Sequence, residues 1–416
     1  MTTIAAPTNA VRQDVTVIGL VGLAHSISHF SQLLLAPLFP WLKEAFGVSY
    51  AELGLLMSVF FAVSCAVQAA SGFVVDRVGP RPILFAGLAL LGLAAFGFAA
   101  SQSYAMLLAF SVLAGIGNGV FHPVDFTLLN RRIAPARLGH AFSVHGITGS
   151  LGWALAPAML VPIAIASSWR TALVCAGVLA FVVLAILWLN RAQLALDLVS
   201  PAPAPAKAGR AAQPSAEGRF AFLKIPAVWM CFAFFFFYAA SLSGVQAFAP
   251  EAARLLHNVP AHAAALCLTI YMVCTSFGMV AGGFLAADPA RCERIVGVGF
   301  GVAASVALVI GFAPLAPDTV LVLFGVMGFG AGLAGPSRDL IVKRSAPDGA
   351  TGRVYGVVYS GLDIGQAMAP LAFGTLMDWQ QPAMVWLGIA VVQGVLIASA
   401  FNVRRVRRTA LVGVPA

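Results

Sequence analysis

Long apolar runs, separated by short breaks of charged residues, proline and glycine, fill almost the whole chain. Each run approaches or exceeds the roughly 20 residues that a helix needs to cross a bilayer. The pattern predicts an all-α, polytopic membrane protein with short connections. Its twelve predicted spans lie near residues 15–40, 51–75, 82–101, 104–130, 139–163, 169–190, 226–249, 263–286, 295–313, 318–342, 352–377 and 383–403.

One hydrophilic stretch, residues 191–224, is longer than the other breaks. It carries Pro201, Pro203 and Pro205 together with scattered basic and polar residues, which is typical of a Pro-rich linker. We predict that residues 1–190 form an N-terminal bundle of six helices. Residues 191–224 are then a cytoplasmic linker, and residues 225–416 form a second six-helix bundle with a basic C-terminal tail.

Glycines and prolines recur in the two halves at a constant distance. Gly115 and Gly328, for example, lie 213 residues apart. The same separation relates Gly117 to Gly330, Gly119 to Gly332, Pro123 to Pro336, Gly139 to Gly352, Gly152 to Gly365, Pro157 to Pro370 and Pro37 to Pro250. The repeat predicts a duplicated bundle with pseudo-twofold symmetry, an architecture that is typical of secondary transporters.

The composition agrees with a membrane protein, because 60% of the residues are hydrophobic and only 9% are charged, against about 25% charged in soluble chains. The net charge of +9 does not indicate nucleic-acid binding, since the basic residues lie in short loops. With a cytoplasmic N-terminus, 20 of the 24 basic residues fall on the cytoplasmic side. We predict a bacterial-type inner membrane protein with both termini in the cytoplasm.

No motif of an enzyme or a pump is present in the sequence. It contains no His-Glu-x-x-His helix, no Gly-x-Ser-x-Gly turn and no Walker A loop, and its six cysteines lie singly in or beside apolar runs. We expect no enzymatic activity, no cofactor and no metal site. We expect a monomer that uses an ion gradient rather than ATP.

The loop between the second and third spans carries a recognisable motif, Gly72-Phe-Val-Val-Asp76-Arg77-Val-Gly79-Pro80-Arg81. It resembles the signature loop of the major facilitator superfamily, although Pro80 stands where a basic residue is usual. The resemblance implies the twelve-helix fold of that superfamily. It also implies that Asp76 bonds to a helix of the other half in one conformation, while Arg77 and Arg81 stay at the level of the lipid headgroups.

A second resemblance narrows the branch. The sequence Phe121-His122-Pro123, followed by a glycine-rich fifth span with Gly139, Gly149 and Gly152, resembles the fosmidomycin-resistance-like branch of the superfamily. That branch implies proton-driven export of small anionic or amphiphilic compounds. Gly149, Gly152 and Pro157 are expected to pack helices, but Ala156 replaces the glycine that precedes proline in the antiporter signature.

Few polar side chains interrupt the spans, and such residues usually face a cavity or a partner. The superfamily resemblance implies that spans one, four, seven and ten line the cavity, and these spans hold most of them. The candidate substrate ligands are His29, His122, Tyr238, Gln246 and Arg338. The candidates for proton coupling or gating are His25, Asp125, Asp339 and Asp363.

Asp125 precedes Arg338 by the repeat distance, so we expect the two to pair across the cavity. The pair either switches the halves between states or serves only as a structural ion pair. The histidines either relay protons or join helices by hydrogen bonds.

The predicted function is secondary active transport of a small organic solute by alternating access. We expect proton-coupled efflux, that is antiport, of a drug-like or anionic compound. The alternative is uptake or exchange of an organic anion such as a carboxylate or a phosphonate, with Arg338 as its ligand.

Overall fold

The computed structural model describes residues 8–196, 226–285, 291–345 and 351–412, and these residues fold into helices without strands. The helices of the first half are α1 (Thr8–Gln32), α2 (Phe39–Phe46), α3 (Tyr50–Val78), α4 (Pro80–Ala100), α5 (Tyr104–Asn118), α6 (Phe121–Arg132), α7 (Leu138–Ala166) and α8 (Trp169–Leu189). Those of the second half are α9 (Pro226–Ala247), α10 (Ala249–His257), α11 (Ala261–Leu285), α12 (Cys292–Phe312), α13 (Pro317–Ser345), α14 (Thr351–Asp378) and α15 (Pro382–Val412). Most of the predicted linker, residues 197–224, lies outside the described residues.

The helices follow the predicted spans in order. Within the described residues, eleven segments are long and apolar enough to cross a membrane. Helix α14, with 28 residues, stands in the place of the predicted eleventh span. The boundaries differ most at α15, which continues to Val412 rather than ending near residue 403.

Three predicted spans are associated with two helices each. The first is followed by the short helix α2, the fourth divides into α5 and α6, and the seventh is followed by the short helix α10. Helices α2 and α10 lie mostly beyond the predicted bounds of residues 15–40 and 226–249. Pro37 and Pro250, which are equivalent in the repeat, stand at the first and third breaks. Pro123 has no amide to bond the Gly119 carbonyl at the second break, and the Ser71 hydroxyl reaches that oxygen at 3.4 Å.

Equivalent helices of the two halves make equivalent contacts. Helix α1 packs on α7 as α9 packs on α14, and α3 packs on α5 as α11 packs on α13. Helix α4 contacts α5 and α8, and α12 likewise contacts α13 and α15. The duplicated organisation inferred from sequence spacing therefore recurs in the packing of the helices.

The repeated glycines mark close helix crossings. A Cβ atom at Gly115 would lie 2.6 Å from the Phe60 carbonyl oxygen of α3, and one at Gly328 would collide with the Tyr271 carbonyl of α11. Backbones approach this closely only where no side chain intervenes. The constant spacing of these glycines along the chain thus reflects a helix crossing that is present in both halves.

Among the described residues, two helix pairs make the most extensive contacts between the halves, α3 with α14 and α7 with α11. At the start of α3, the Asp378 carboxylate of α14 accepts hydrogen bonds from the amides of Tyr50 at 2.7 Å and Ala51 at 2.8 Å. Farther along α3, the Gln68 amide donates to Asp363 at 3.1 Å. We call the side marked by the first turn of α3 and the last turn of α14 the closed end.

The opposite side carries exposed aromatic side chains and open space beside several glycines. Phe73, near the end of α3, is 72% exposed, and Phe284, near the end of α11, is 80% exposed. A Cβ atom added at Gly72, Gly139 or Gly283 would meet open space. We call the side marked by the last turns of α3 and α11 and the first turn of α7 the open end.

Candidate functional site

A cluster of ionisable side chains is buried in the N-terminal half. We call it the histidine cluster; it consists of His25 and His29 on α1, His122 and Asp125 on α6, and His145 on α7. Oδ2 of Asp125 accepts hydrogen bonds from His25 Nδ1 at 3.0 Å and from His145 Nε2 at 3.1 Å. The rings of His25 and His145 stack with their centroids 3.5 Å apart.

Asp125 has no solvent-exposed surface, and a carboxylate in that position needs hydrogen-bonding partners to offset its lost hydration. The two imidazole N–H groups provide them at one oxygen. The other oxygen, Oδ1, has no hydrogen-bond partner among the described residues. The cluster therefore contains unused acceptor capacity inside the bundle.

A chain of polar side chains continues from the cluster along α1. Trp153 lies against His29, with ring centroids 4.2 Å apart, and donates its indole N–H to Gln32 at 3.0 Å. Gln32 and Ser28 both donate to the side-chain oxygen Oδ1 of Asn118, at 3.4 and 2.7 Å. Three helices thus contribute to one continuous polar network.

Sequence reasoning missed Gln32, Ser28 and Asn118. Gln32 follows His29 by three residues and lies on the same face of α1 as both histidines, which is a signal that the helical period offers. For Asn118, the only signal in the sequence was a single polar residue within a glycine-rich apolar run. Its amide donates to Ser64 on α3 at 2.9 Å, which extends the network to a fourth helix.

Glycines on α7 make room for the imidazoles of α1. A Cβ atom at Gly149 would lie 2.9 Å from His29 Nδ1 and 3.1 Å from His25 Nε2, and one at Gly152 would collide with the Ser26 carbonyl. The packing prediction for Gly149 and Gly152 therefore agrees with the contacts they make. The break between α5 and α6 places His122 in the first turn of α6, facing the same space.

Aromatic side chains flank the cluster toward the open end. Phe126 stacks on His122 with centroids 5.9 Å apart and is 41% exposed. Phe142, next to it, is 37% exposed. His29 and His122 are themselves only partly buried, so part of the cluster is exposed.

The remaining substrate candidates do not gather at the cluster. Tyr238 is half-buried and packs edge-on against Phe300, with centroids 6.0 Å apart. Gln246 lies near the closed end, where it lines a cleft of about 420 Å³ together with Pro157, Glu251 and Arg254. This separation arises because α9 ends at Ala247, so Gln246 occupies the last turn of its helix.

Arg338 and Asp339 lie on α13, but their side chains are outside the described residues. The expected pairing of Asp125 with Arg338 therefore stays a prediction. The partners that the structure gives Asp125 are the two histidines of its own bundle.

The signature loop ends α3. Gly79 adopts φ 88°, a conformation that favours glycine, and thereby allows α4 to begin at Pro80. Asp76 and Arg77 are exposed, and Arg81 donates to the Arg191 carbonyl at 3.3 Å. The expected bond from Asp76 to the other half stays a prediction, since the side chains at the start of α14 lie outside the described residues.

Ion pairs reinforce the closed end. Both carboxylate oxygens of Glu251 on α10 accept from the Arg254 guanidinium at 2.7 Å. The Tyr50 hydroxyl of α3 donates to the same carboxylate at 3.0 Å. Glu251 thus links the two halves beside the Asp378 contact.

Comparison with known proteins decides the family. The family model of the Major Facilitator Superfamily matches residues 21–370 and 246–416. The chain belongs to the Major Facilitator Superfamily. The all-helical arrangement agrees with membership: a bacterial homolog of the human lysosomal transporter Spinster, solved in an inward-facing and occupied conformation, superposes with a TM-score of 0.76. That match covers 94% of this chain and 97% of the other, at 15% sequence identity.

Curated relatives within the superfamily match only part of this chain and part of their own length. The chain is 27% identical to the fosmidomycin resistance protein of Escherichia coli (strain K12) over 48% of its own length and 51% of the relative. It is also 27% identical to a probable sulfoacetate transporter of Cupriavidus necator, over 39% of this chain and 37% of that one. The chain thus matches about half, or less, of the length of these relatives. The first match agrees with the branch that the sequence motifs indicated.

Proposed function

We propose that the protein is a secondary active transporter that moves a small organic solute by alternating access. One observation carries the proposal: a buried cluster of ionisable side chains lies beside partly exposed aromatic residues within one bundle, while hydrogen bonds join the two bundles at the closed end. Duplicated bundles around a midplane site are the basis of alternating access in such proteins. The matched relatives are named as transporters and resistance proteins, not as enzymes.

The proposed direction is efflux. In the predicted orientation, the open end faces the cytoplasm, so the solute would load at His29 and His122 from inside the cell. Relatives named fosmidomycin resistance protein and multidrug resistance protein support this direction. Uptake or exchange of an organic anion is the second candidate, and it is supported by relatives named as probable sulfoacetate and L-galactonate transporters.

We assign proton coupling to Asp363. Of the four candidates for proton coupling or gating, Asp363 is the one for which the described residues give a hydrogen bond to the other half. Its carboxylate accepts that bond from Gln68. The Cys65 thiol of α3 also contacts its carboxylate. Protonation would turn Asp363 from an acceptor into a group that can donate, so the α3–α14 contact would change with proton occupancy.

Replacing Asp363 with asparagine is expected to uncouple transport from the proton gradient. The amide keeps the size of the side chain but cannot gain or lose a proton at physiological pH. Because coupling between two ligands is typically worth about 1–3 kcal/mol, gradient-driven accumulation should fall by about tenfold or more. Exchange of labelled for unlabelled solute without a gradient should continue. Proteoliposomes with and without an imposed pH difference provide the measurement.

Asp318→Asn is the matched control, because Asp318 is an exposed aspartate in the first turn of α13. It should leave accumulation unchanged. If Asp363→Asn accumulates solute as the unmodified protein does, Asp363 has no role in coupling.

Direction and substrate class can be tested together. A host depleted of its own transporters would be grown with toxic compounds and, separately, with organic acids as sole carbon source, with and without expression of the protein. Resistance, followed by proton-driven filling of everted vesicles with the same compound, supports efflux. Gained growth on an organic acid supports uptake instead. If expression of the protein gives neither resistance nor growth across a broad panel of compounds, the transport proposal is contradicted.

A further inference from the structure

Three histidines from three helices converge in the histidine cluster. His25 on α1, His122 on α6 and His145 on α7 can each place one ring nitrogen within 4.8 Å of the other two. Nitrogen ligands at about 2.0–2.1 Å from a tetrahedral Zn²⁺ ion lie about 3.4 Å apart. The rings are therefore near the spacing of a metal site, and an ion would have to draw the most distant pair closer by up to about 1.4 Å.

Asp125 holds two of these rings in the form that a metal requires. A carboxylate only accepts hydrogen bonds, so the ring nitrogens that contact it, His25 Nδ1 and His145 Nε2, carry the protons. In a neutral imidazole the second nitrogen then has a free lone pair. Metal-binding histidines commonly donate their other N–H to a carboxylate in this way.

Several buried atoms of the cluster have no hydrogen-bond partner in the described part of the chain. They are Nδ1 of His122, Nδ1 of His29 and Oδ1 of Asp125. Leaving such an atom buried and unpaired typically costs about 1–3 kcal/mol, and a bound ion would account for several such atoms in one place. This observation is independent of the spacing of the three rings.

His29 can supply a further nitrogen. Its ring centroid lies 4.4 Å from that of His25, and the space beside Gly149 is bordered by His29 Nδ1 and by His25 Nε2. The free nitrogens of both α1 histidines thus face the side of α7 that lacks a side chain. A methyl group at Gly149 would fill the room that they share.

We propose that His25, His122 and His145, supported by Asp125 and adjoined by His29, form a binding site for a divalent transition-metal ion. Imidazole ligands without thiolates suit Zn²⁺, Ni²⁺, Cu²⁺ or Co²⁺, whereas Mg²⁺ and Ca²⁺ prefer oxygen ligands. An ion bound there ties α1, α6 and α7 together through one centre. This proposal departs from the absence of a metal site expected from the sequence.

Zinc binding by the purified full-length protein tests the proposal. The protein, without a histidine tag, would be stripped with a chelator in detergent and dialysed against micromolar Zn²⁺, and the bound metal would be counted by mass spectrometry. One Zn²⁺ per chain is expected. His122→Ala combined with His145→Ala should abolish binding, and Asp125→Asn, which removes only the supporting carboxylate, should weaken it by about 10–100-fold.

The matched control replaces two exposed histidines outside the cluster, His140→Ala with His262→Ala, and should bind one Zn²⁺. Cobalt gives a readout that needs no variant, because Co²⁺ in a four-coordinate nitrogen site absorbs visible light strongly and loses that absorption when Zn²⁺ displaces it. Absence of stoichiometric binding, or binding that survives in the His122/His145 variant, overturns the site and leaves a purely structural hydrogen-bond network. The assay needs no transported solute, so such a result would leave the transport proposal unaffected.

Discussion

Replacing Asp378 with alanine is expected to open the closed end. The Asp378 carboxylate of α14 caps the first turn of α3 by accepting from the amides of Tyr50 and Ala51. The Ser49 hydroxyl accepts from the Glu52 amide, and the Ser49 backbone carbonyl accepts from the Leu53 amide. The Asp378 carboxylate therefore completes the capping of α3. The contact combines a cap with a favourable charge at the positive end of a helix, together about 2 kcal/mol.

A loss of that size changes the ratio of the two conformations by about 30-fold in favour of the state with a separated closed end. Spin labels at Ala45 and Gln381, both exposed at this end, would report the change as a longer distance in a background without the native cysteines. Ser49→Ala provides the control, since Ser49 caps the same helix from within its own bundle. It should lower stability by about 1 kcal/mol without changing the distance distribution.

An unchanged distance in Asp378→Ala, or an equal change in Ser49→Ala, would refute the gating role. The first result would mean that the Glu251 contact with Tyr50 suffices to close this end. The second would mean that any weakening of the α3 terminus opens it.

Replacing Gly152 with alanine is expected to lower the free energy of unfolding more than replacing Asp378 does. The added methyl group would collide with the Ser26 carbonyl, which is helix backbone and cannot rotate away. Overpacking typically costs about 1–3 kcal/mol, and contact with rigid backbone puts this variant near the upper end of that range. Because Gly152 sets the distance between α1 and α7, the variant should also separate His25 from His145. Thermal unfolding in detergent and elution as a single species measure the loss.

Gly301→Ala is the matched control on α12. A Cβ atom there would meet nothing within 4 Å, and alanine is the better helix former by about 1 kcal/mol. Gly301→Ala should therefore unfold at the same temperature or slightly higher. Equal behaviour of the two variants would show that the α1–α7 crossing tolerates a wider separation than its geometry indicates.

The histidine cluster shows why sequence reasoning identified some of the site's members but not their arrangement. His25 and His29 could be placed on one face of α1 from the helical period alone, and His122 and Asp125 on one face of α6. The meeting of these faces with His145 depends on the rotation of each helix about its axis and on the break at Pro123. Local spacing contains no information about either, so it could not predict the two histidines that contact Asp125.

Asp378 at the closed end is a second residue whose partner could not be predicted from the sequence. An aspartate at the last residue of its own helix, as Asp378 is, faces the unfavourable end of that helix's dipole, which is a sign that it serves another element. The sign does not say which element. The N-terminus of α3 is more than three hundred residues away along the chain, and only the packing of α3 against α14 brings the two together.

The amino-acid sequence by itself determined that this protein is a duplicated set of membrane-spanning helices, because the bilayer dictates span length and the constant spacing of glycines and prolines survives from the duplication. It also identified most of the ionisable groups of the site, because charge and imidazole are so rare in these spans. Tertiary structure alone decided which of those groups meet, which end is closed, and that two imidazoles share one carboxylate oxygen. Those outcomes depend on helix rotation and crossing distance, which are determined by contacts between residues far apart in the chain.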